Sequence, residues 1–402
     1  MKRRDFSIMA VAVAAAFAAA PASAKGQYDP GADDKEIKVG NIMPYSGPAS
    51  AYGVIGKTMA GYFKMLNEKG GVNGRKINFI SLDDGYSPPK TVEQARKLVE
   101  QEEVLFLFGT LGTPTNSAIH KYMNQKKVPQ LFVTTGATKW ADPKNFPWTM
   151  GWQPNYQGEG KIYAEYILDK MPDAKIGILY QNDDYGKDYL HGLEAGLGDK
   201  AKTMIIKKLS YETTDPTIDS QILELQASGA NVFYNVTTPK FAAQAIKKAA
   251  AIGWKPAHLL NSVSSSVGSV LTPAGLDNSV GIMSVQYLKD PTDPAWQNAP
   301  DFKEYAAFLA KYVPDANIKD SLPVIGYTTA HSLVQVLKQA GDNLTRANIM
   351  KQAASLDIKD VPMALPGVGV KTAADDFSPV EREQMIRFNG KSYERFGKVY
   401  GR

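Results

Sequence analysis

The chain contains no cysteine among its 402 residues. This absence excludes disulfides, thiolate metal sites and a catalytic thiol. Histidine is scarce as well: the four histidines are far apart and lack metal-ligand spacing. Basic residues form no long run, which disfavours nucleic acid as a partner. The folded chain must therefore be held together by its hydrophobic core.

Long hydrophobic runs are almost missing too. The main one, Ile8–Ala20, follows a basic start at residues 2–4 and precedes Ala-Ser-Ala at residues 22–24. This order is typical of an export signal, and the run is too short to span a bilayer comfortably. We predict that residues 1–24 are a signal peptide, of the general secretory or the twin-arginine kind, and that the protein is periplasmic. Their removal takes away three positive charges and one negative charge, which lowers the formal net charge from +5 to +3.

One stretch organises the rest of the chain. Val104–Phe108 is an apolar run typical of a strand buried on both faces of a parallel sheet, and Gly109–Gly112 forms a tight turn. Thr113 is then expected to be the N-cap of a helix whose first residue is Pro114. Such a helix start, at the carboxyl end of a strand, favours a carboxylate or another anion. A purely structural turn is the alternative, but an apolar strand followed by Thr-Pro recurs at residues 231–239.

Apolar and amphipathic segments alternate along the chain, which predicts an α/β fold. Two βα series with matching Thr-Pro helix starts favour two similar lobes, each a parallel sheet flanked by helices, with a ligand cleft between them. The segment Trp140–Trp152 is interpreted as a connection between the lobes. The pattern predicts strands near 37–43, 77–82, 104–108, 130–135, 175–180, 204–209, 231–236, 258–260 and 281–285, helices near 53–68, 88–103, 113–127, 157–170, 184 onward, 216–228, 239–253, 301–312, 326–340 and 344–354, and a hairpin from 384.

No constellation of catalytic residues is visible. The chain has no Gly-x-Ser-x-Gly elbow and no P-loop, and Gly367–Gly369 is too short for a dinucleotide fingerprint. The acidic pairs at 83–84 and 183–184 are better explained as caps and turn residues. We therefore expect a protein that is not an enzyme and that has no catalytic residue, cofactor or metal.

The remaining features suit ligand binding. The hydroxyls of Thr113 and Thr138, with the backbone at Gly136, are a donor set for a ligand carboxylate. Tyr52, Tyr185 and a tryptophan, Trp140 or Trp152, would cover an apolar or aromatic ligand body. The alternative for each aromatic side chain is burial in the core of a lobe.

Several motifs occur in an order that resembles a known family. The chain resembles the periplasmic solute-binding proteins of branched-chain amino acid ABC transporters, which are similar to the leucine/isoleucine/valine-binding protein. The resemblance implies a type I two-lobe fold, a Venus flytrap joined by three crossovers, with lobe 1 at 25–153 and 287–376 and lobe 2 at 154–286 and 377–402. The motifs that carry it are Met43–Pro48, Ala51–Gly53, Gly70–Gly74, Asp83–Asp84, Gly136–Thr138 and Asp184–Gly186.

The resemblance also implies roles for individual residues. Thr113 stands where the family has a serine that holds the ligand carboxylate, and the turn at Gly136, Ala137 and Thr138 stands where backbone and hydroxyl groups assist it. Tyr52 and Tyr185 fall on pocket aromatics of the two lobes. Trp152 and Ser264 complete the expected ligand-binding set, and Thr237 stands where the family has a further aromatic residue.

The second lobe departs from the amino-acid-binding pattern. The stretch Leu259–Ser266 lacks the acid that usually pairs with the ligand ammonium. Burying an ammonium without a counter-charge is costly. The ligand predicted is therefore a carboxylate without an α-amino group, such as a benzoate or a hydroxycinnamate, with serines of this stretch bonding a phenol hydroxyl. Branched-chain amino acids remain the alternative, because Asp183, Asp184 or Glu159 would be able to supply the charge.

The expected partners follow from the same resemblance. A monomer would carry its ligand to an inner-membrane ABC permease. A sensory receptor of the same fold is a second possibility, and an exported enzyme is a third that lacks support from the residues.

Overall fold

The computed structural model describes residues 26–401. The predicted signal peptide lies outside these residues. Two separate β-sheets, each flanked by helices, form the main body. The strands are β1 (Gln27–Tyr28), β2 (Glu36–Met43), β3 (Lys76–Asp83), β4 (Phe106–Phe108), β5 (Gln130–Val133), β6 (Thr149–Gly151), β7 (Ile176–Gln181), β8 (Ile205–Tyr211), β9 (Val232–Val236), β10 (Ala257–Leu260), β11 (Met283–Gln286), β12 (Asn343–Leu344), β13 (Asp357–Ile358), β14 (Val370–Lys371), β15 (Glu383–Phe388) and β16 (Tyr393–Tyr400).

The helices largely follow the predicted periodic segments. They are α1 (Gly53–Glu68), α2 (Pro88–Arg96), α3 (Thr113–Lys126), α4 (Tyr156–Lys170), α5 (Asp184–Leu197), α6 (Ala201–Met204), α7 (Asp219–Ala227), α8 (Pro239–Ala251), α9 (Thr272–Ala274), α10 (Pro300–Tyr312), α11 (Leu322–Ala340) and α12 (Arg346–Ala353).

The first sheet has the order β3-β2-β4-β5-β6 and is parallel throughout. Its central strand β4 is completely buried, as the apolar run Val104–Phe108 predicts, although only its last three residues form the strand. Helices on both faces explain this, because a parallel strand covered twice has no polar face.

The interpretation of Trp140–Trp152 as an interlobe connection is wrong for its last part. Thr149–Gly151 forms β6, the parallel edge strand of the first sheet, which pairs with β5 at Gln130 and Val133. A three-residue strand has no periodicity of its own, so only its partner strand reveals it.

The second sheet has the order β16-β15-β11-β10-β9-β7-β8. Five strands are parallel, and the C-terminal hairpin β15–β16 adds an antiparallel edge as predicted. The first lobe is defined here as the first sheet with α1–α3 and α10–α12, because α10 and α11 pack on α1 in one shared core. The second lobe is the second sheet with α4–α9. The chain passes between the lobes after β6, after β11 and before β15. The predicted residue boundaries at 153, 286 and 376 stay predictions.

Candidate ligand-binding site

A cavity lies between the two lobes, where strands of both sheets end. The first lobe contributes Tyr52, Tyr86 and Thr113, and the second contributes Tyr156 and Tyr185. We call it the tyrosine cavity. Its volume is only about 30 Å³, which is room for one or two water molecules. The two lobes are therefore closed around it. The rest of its wall includes Ile55, Leu111, Thr134, Gln153, Thr238 and Ile325.

The start of α3 forms one side of the cavity and corrects a prediction. Thr113 is the first helical residue, and the N-cap is Gly112 at φ 98°. Glycine is required there, because a Cβ would lie 2.5 Å from the ring of Tyr86 and because φ is positive. The Thr113 hydroxyl lies 2.6 Å from that of Thr135. The first turn still has backbone N–H groups without partners inside the helix, so the predicted anion site keeps its physical basis.

Four tyrosines give the cavity its aromatic character. The hydroxyl of Tyr52 donates to the carbonyl of Val263 across the lobes at 3.1 Å. The hydroxyl of Tyr185 is buried and has no hydrogen-bond partner among residues 26–401. Burial raises the pKa of Tyr52, Tyr86, Tyr156 and Tyr185, so each keeps its proton at neutral pH. The wall therefore offers apolar ring faces and neutral hydroxyl donors.

The predicted turn Gly136–Thr138 is not on the cavity wall. The ring of Tyr156 packs against Gly136, where a Cβ would lie 2.7 Å from it, and the Tyr156 N–H donates to the Gly136 carbonyl at 2.9 Å. The N–H of Ala137 points back to the Thr135 hydroxyl at 3.4 Å. Thr138 donates its N–H and its hydroxyl to Asp188, at 2.8 and 2.9 Å. Tyr156 lines the cavity and the turn does not, and the roles of Gly136, Ala137 and Thr138 toward a ligand stay predictions.

Three other predicted residues serve internal hydrogen bonds. The indole N–H of Trp152 donates to Ser332 at 3.1 Å, in the core of the first lobe. The hydroxyl of Thr237 donates to the Asn235 side chain at 2.7 Å, and the hydroxyl of Ser264 donates to the Thr237 carbonyl. All three are fully buried and absent from the wall of the tyrosine cavity.

The acids considered as ammonium partners are engaged elsewhere. Glu159 is buried in the second lobe and accepts from the hydroxyls of Tyr163 and Tyr189 and from the N–H and hydroxyl of Ser262. Asp183 caps α5 by accepting from two backbone N–H groups, and burial raises its pKa to about 6. Asp184 forms an exposed ion pair with Lys139 at 2.9 Å. No acidic side chain lines the tyrosine cavity within the described part of the chain.

Sequence reasoning missed three wall residues that signals in the chain would have indicated. Tyr86 directly follows the turn after the acidic pair Asp83–Asp84. Tyr156 begins the helix after the first interlobe passage. Thr238 is the N-cap of α8, with Pro239 as the first helical residue, so the second Thr-Pro start has the predicted positions and also reaches the cavity.

Two sets of polar contacts outside the cavity join the closed lobes. On one side Thr138 and Lys139 of the first lobe contact Asp188 and Asp184 of α5. On the other side the carboxylate of Asp320 accepts from the hydroxyls of Ser266 and Ser269, at 2.7 and 3.2 Å. Because these bonds exist only when the lobes meet, each set stabilises the closed form.

Replacement of Asp188 by alanine is expected to weaken ligand binding about 5- to 10-fold. The closed form would lose the two hydrogen bonds that Thr138 donates to the Asp188 carboxylate, and these bonds are only partly buried. Titration calorimetry with a carboxylate found by the screen described below would measure the change. Asp199→Ala is the matched control, since Asp199 is fully exposed at the end of the same helical region. Equal affinities of the two variants would contradict a closing role for Asp188.

No group of three or more histidine, aspartate or glutamate side chains is placed to hold a metal ion among residues 26–401. In the same range, no helix combines the length and the apolar character needed to cross a membrane.

Comparisons with known proteins agree with this geometry. Residues 36–387 match the periplasmic binding protein family. The Leu/Ile/Val-binding protein homolog 1 of Brucella suis is 26% identical over 322 residues, which cover 77% of this chain and 80% of that protein. A branched-chain amino acid ABC transporter structure from Thermus thermophilus, with bound valine, superimposes with a TM-score of 0.81 at 16% identity and covers 94% of this chain and 97% of its own. A fatty acid ABC transporter substrate-binding protein from Thermomonospora curvata gives a TM-score of 0.80 at 22% identity, covering 94% and 95%.

The fold is thus that of type I periplasmic binding proteins, as predicted. The chain belongs to the periplasmic binding protein family.

Proposed function

We propose that this protein is the substrate-binding component of an ABC importer, and that it captures a small carboxylate without an α-ammonium group, with an aromatic acid as the best candidate. The observation that carries the proposal is the composition of the tyrosine cavity. A helix start that favours an anion faces a wall of aromatic rings, and among residues 26–401 no acidic side chain lines the cavity to pair with an ammonium.

The carboxylate is assigned to the start of α3. Gly112 and Thr113 both line the cavity there, and the helix dipole adds partial positive charge at the first turn. The rings of Tyr52, Tyr86, Tyr156 and Tyr185 would enclose the apolar body of the ligand, since aromatic pairs gain from stacked or edge contacts. The 30 Å³ left for waters is too small for such a ligand, so binding requires some opening of the lobes.

Branched-chain amino acids are the second candidate. The named relatives and the valine-bound structure favour them. The acid that connects to the cavity wall is Asp183. It accepts from the side-chain amide of Gln181, and that amide lies 3.5 Å from the Tyr86 hydroxyl. The Thermomonospora curvata protein of the same fold is named as a fatty acid ABC transporter substrate-binding protein, and a fatty acid is a carboxylate without an ammonium group. An amino acid ligand would require Asp183 to exchange its hydrogen bonds at the start of α5 for an ion pair with the ligand ammonium, whereas an aromatic acid would not.

A thermal-shift screen followed by calorimetry tests the proposal. The panel contains leucine, isoleucine, valine and phenylalanine beside benzoate, 4-hydroxybenzoate, cinnamate and 4-hydroxycinnamate. A ligand that binds only the folded state stabilises it by about 2.7 kcal/mol at a hundredfold excess over its dissociation constant. Stabilisation by aromatic acids alone is expected. Stabilisation by leucine or valine alone would overturn the proposed ligand class.

Replacement of Thr113 by valine is expected to weaken carboxylate binding about 10- to 100-fold, because a hydrogen bond to a charged group contributes about 1.5–3 kcal/mol. Valine keeps the shape of the buried side chain. Lys121→Ala, further along α3, exposed and off the cavity wall, is the control. A Thr113→Val variant that binds as tightly as the Lys121→Ala variant would show that the carboxylate lies elsewhere.

The proposed role is capture without reaction. We expect the ligand to be recovered unchanged after long incubation with the protein, and uptake of the same acid by cells to require both this protein and a membrane permease. Turnover of the ligand would favour an enzyme, and a loss of ligand-dependent signalling without loss of uptake would favour a sensory receptor.

A further inference from the structure

A second cavity adjoins the tyrosine cavity on the side where the chain passes between the lobes. The two share the residues Gln153, Val263 and Ile325 as a common wall. The second cavity leaves about 50 Å³ for the centres of water molecules and extends past β11 to Gln286 and Asp290. The two cavities therefore lie next to each other, on either side of these three residues.

Buried polar groups without partners mark these two cavities at several points. Gln286 is 92% buried, and its side-chain Nε2 has no hydrogen-bond partner among residues 26–401. Two further buried polar atoms also have no hydrogen-bond partner among residues 26–401. They are the Oε1 of Gln153 at the shared wall and the hydroxyl of Tyr185 in the tyrosine cavity. Buried donors and acceptors in native proteins are nearly always paired, so an unpaired set along the two cavities points to a ligand with polar groups.

The charges around the second cavity exclude a second carboxylate. Lys289 lines it, but its ammonium is already paired with Asp301. Asp290 also lines it, is buried, and accepts from the N–H and the hydroxyl of Thr292 through one oxygen. A buried carboxyl repels a second anion. A neutral group that both accepts from the Gln286 amide and donates to the Asp290 carboxyl fits best, and a hydroxyl does both.

We propose that the second cavity holds the far end of the same ligand, and that this ligand is an elongated carboxylic acid carrying a hydroxyl at the end opposite its carboxylate. The inference rests on the proposed function, because it takes the carboxylate to lie at the start of α3. It deepens the ligand class from small aromatic acids in general to hydroxylated phenylpropenoate-like acids. After the opening of the lobes that binding requires, a compact acid such as benzoate would occupy the tyrosine cavity alone.

The test compares ligand pairs on variants of the second cavity. In the unmodified protein, 4-hydroxycinnamate is expected to bind at least 10-fold more tightly than cinnamate, whereas 4-hydroxybenzoate should gain little over benzoate. Gln286→Met, which keeps the length of the side chain but removes the amide, should weaken 4-hydroxycinnamate about 10-fold and leave cinnamate unchanged. Gln384→Met is the matched control, since Gln384 pairs with Gln286 in the sheet register and lies outside both cavities.

A second variant obstructs the second cavity itself. Leu288→Trp changes a residue that lines only the second cavity. It is expected to reduce 4-hydroxycinnamate binding at least 10-fold and to leave benzoate binding in place. Retained benzoate binding then also shows that the variant is folded. For a variant that loses benzoate as well, Leu288→Phe provides a smaller obstruction with the same expected order of the two ligands.

The outcomes separate this inference from the proposed function. Failure of every acid in the panel would reject the proposed function. Binding of the acids without a gain from the far hydroxyl, or with the same gain in the Gln286→Met variant, would reject the elongated ligand and leave the carboxylate site standing. Tighter binding of 4-(aminomethyl)cinnamate, whose benzylic amine is protonated at neutral pH, than of 4-hydroxycinnamate would also overturn it, because Asp290 would then act as a site for a cation.

Discussion

Replacement of Glu159 by leucine is expected to lower the free energy of unfolding by about 3–5 kcal/mol, the cost of removing one partner from a buried charged network. The carboxylate accepts from Tyr163, Tyr189 and twice from Ser262. Its loss would leave the Tyr189 hydroxyl and both Ser262 donors without this acceptor, whereas the Tyr163 hydroxyl would keep the Leu260 carbonyl at 2.9 Å. Ser262 directly precedes Val263, which lines both cavities. Loss of the network should therefore weaken ligand binding as well.

Urea unfolding followed by circular dichroism would measure the change. Glu165→Leu on the same helix is the control, because Glu165 forms only an exposed ion pair with Lys398, and such pairs contribute about 0–1 kcal/mol. Glu159→Gln should fall between the two, since an amide keeps the shape and one acceptor. A Glu159→Leu variant as stable as the control would show that the network is dispensable.

The same carboxyl gives stability a dependence on pH. Burial raises the pKa of Glu159, and burial together with the charge of Glu159 raises the pKa of Glu383. A carboxyl whose pKa is higher in the folded state keeps its proton up to a higher pH there than in the unfolded chain. Stability from these groups is therefore fully present at low pH and declines as the pH rises through the raised values. Glu159→Gln should remove part of this decline in unfolding curves taken across pH 5–8.

Replacement of Gly268 by leucine is expected to hold the lobes apart and to weaken ligand binding about 30- to 100-fold, which corresponds to about 2–3 kcal/mol against closure. Gly268 donates its N–H to the Lys319 carbonyl of the other lobe at 3.1 Å. A Cβ at Gly268 would lie 2.8 Å from the backbone nitrogen of Asp320, so the backbone cannot yield as a flexible side chain would.

Small-angle scattering and calorimetry would check this prediction together. The radius of gyration should increase in the ligand-free variant, and the folded secondary structure should be kept. Gly158→Leu is the matched control, because a Cβ at Gly158 in α4 would meet only the Asn155 Cβ at an ordinary 3.8 Å. Unchanged affinity in a compact Gly268→Leu protein would refute the view that this contact governs closure.

Local sequence patterns determined most elements of the fold. The apolar run before Phe108, the Thr-Pro start at Thr238 and the C-terminal hairpin were all readable, because side-chain periodicity, helix caps and turn residues act within a few positions. The two-lobe architecture followed from the repetition of βα units. The family was readable from an ordered set of short motifs, and the match over residues 36–387 confirms it.

Tertiary structure decided the details of the candidate site. Gly112 rather than Thr113 caps α3 because Tyr86, from another strand end, occupies the adjacent space. The turn at Gly136 is set back from the cavity because Tyr156 packs against it. Glu159 is an internal acceptor rather than a ligand partner because two tyrosines and a serine from three segments converge on it.

The physical reason for this division is the range of the interactions. Strands, helices and turns depend on neighbours along the chain, and the sequence alone therefore specifies them. The wall of a cavity between two lobes depends on which side chains from distant segments compete for the same space and the same hydrogen bonds. Tyr86, Tyr156 and Gln286 reach the two cavities only through that competition, so the folded chain, and not its sequence pattern, assigns them to the site.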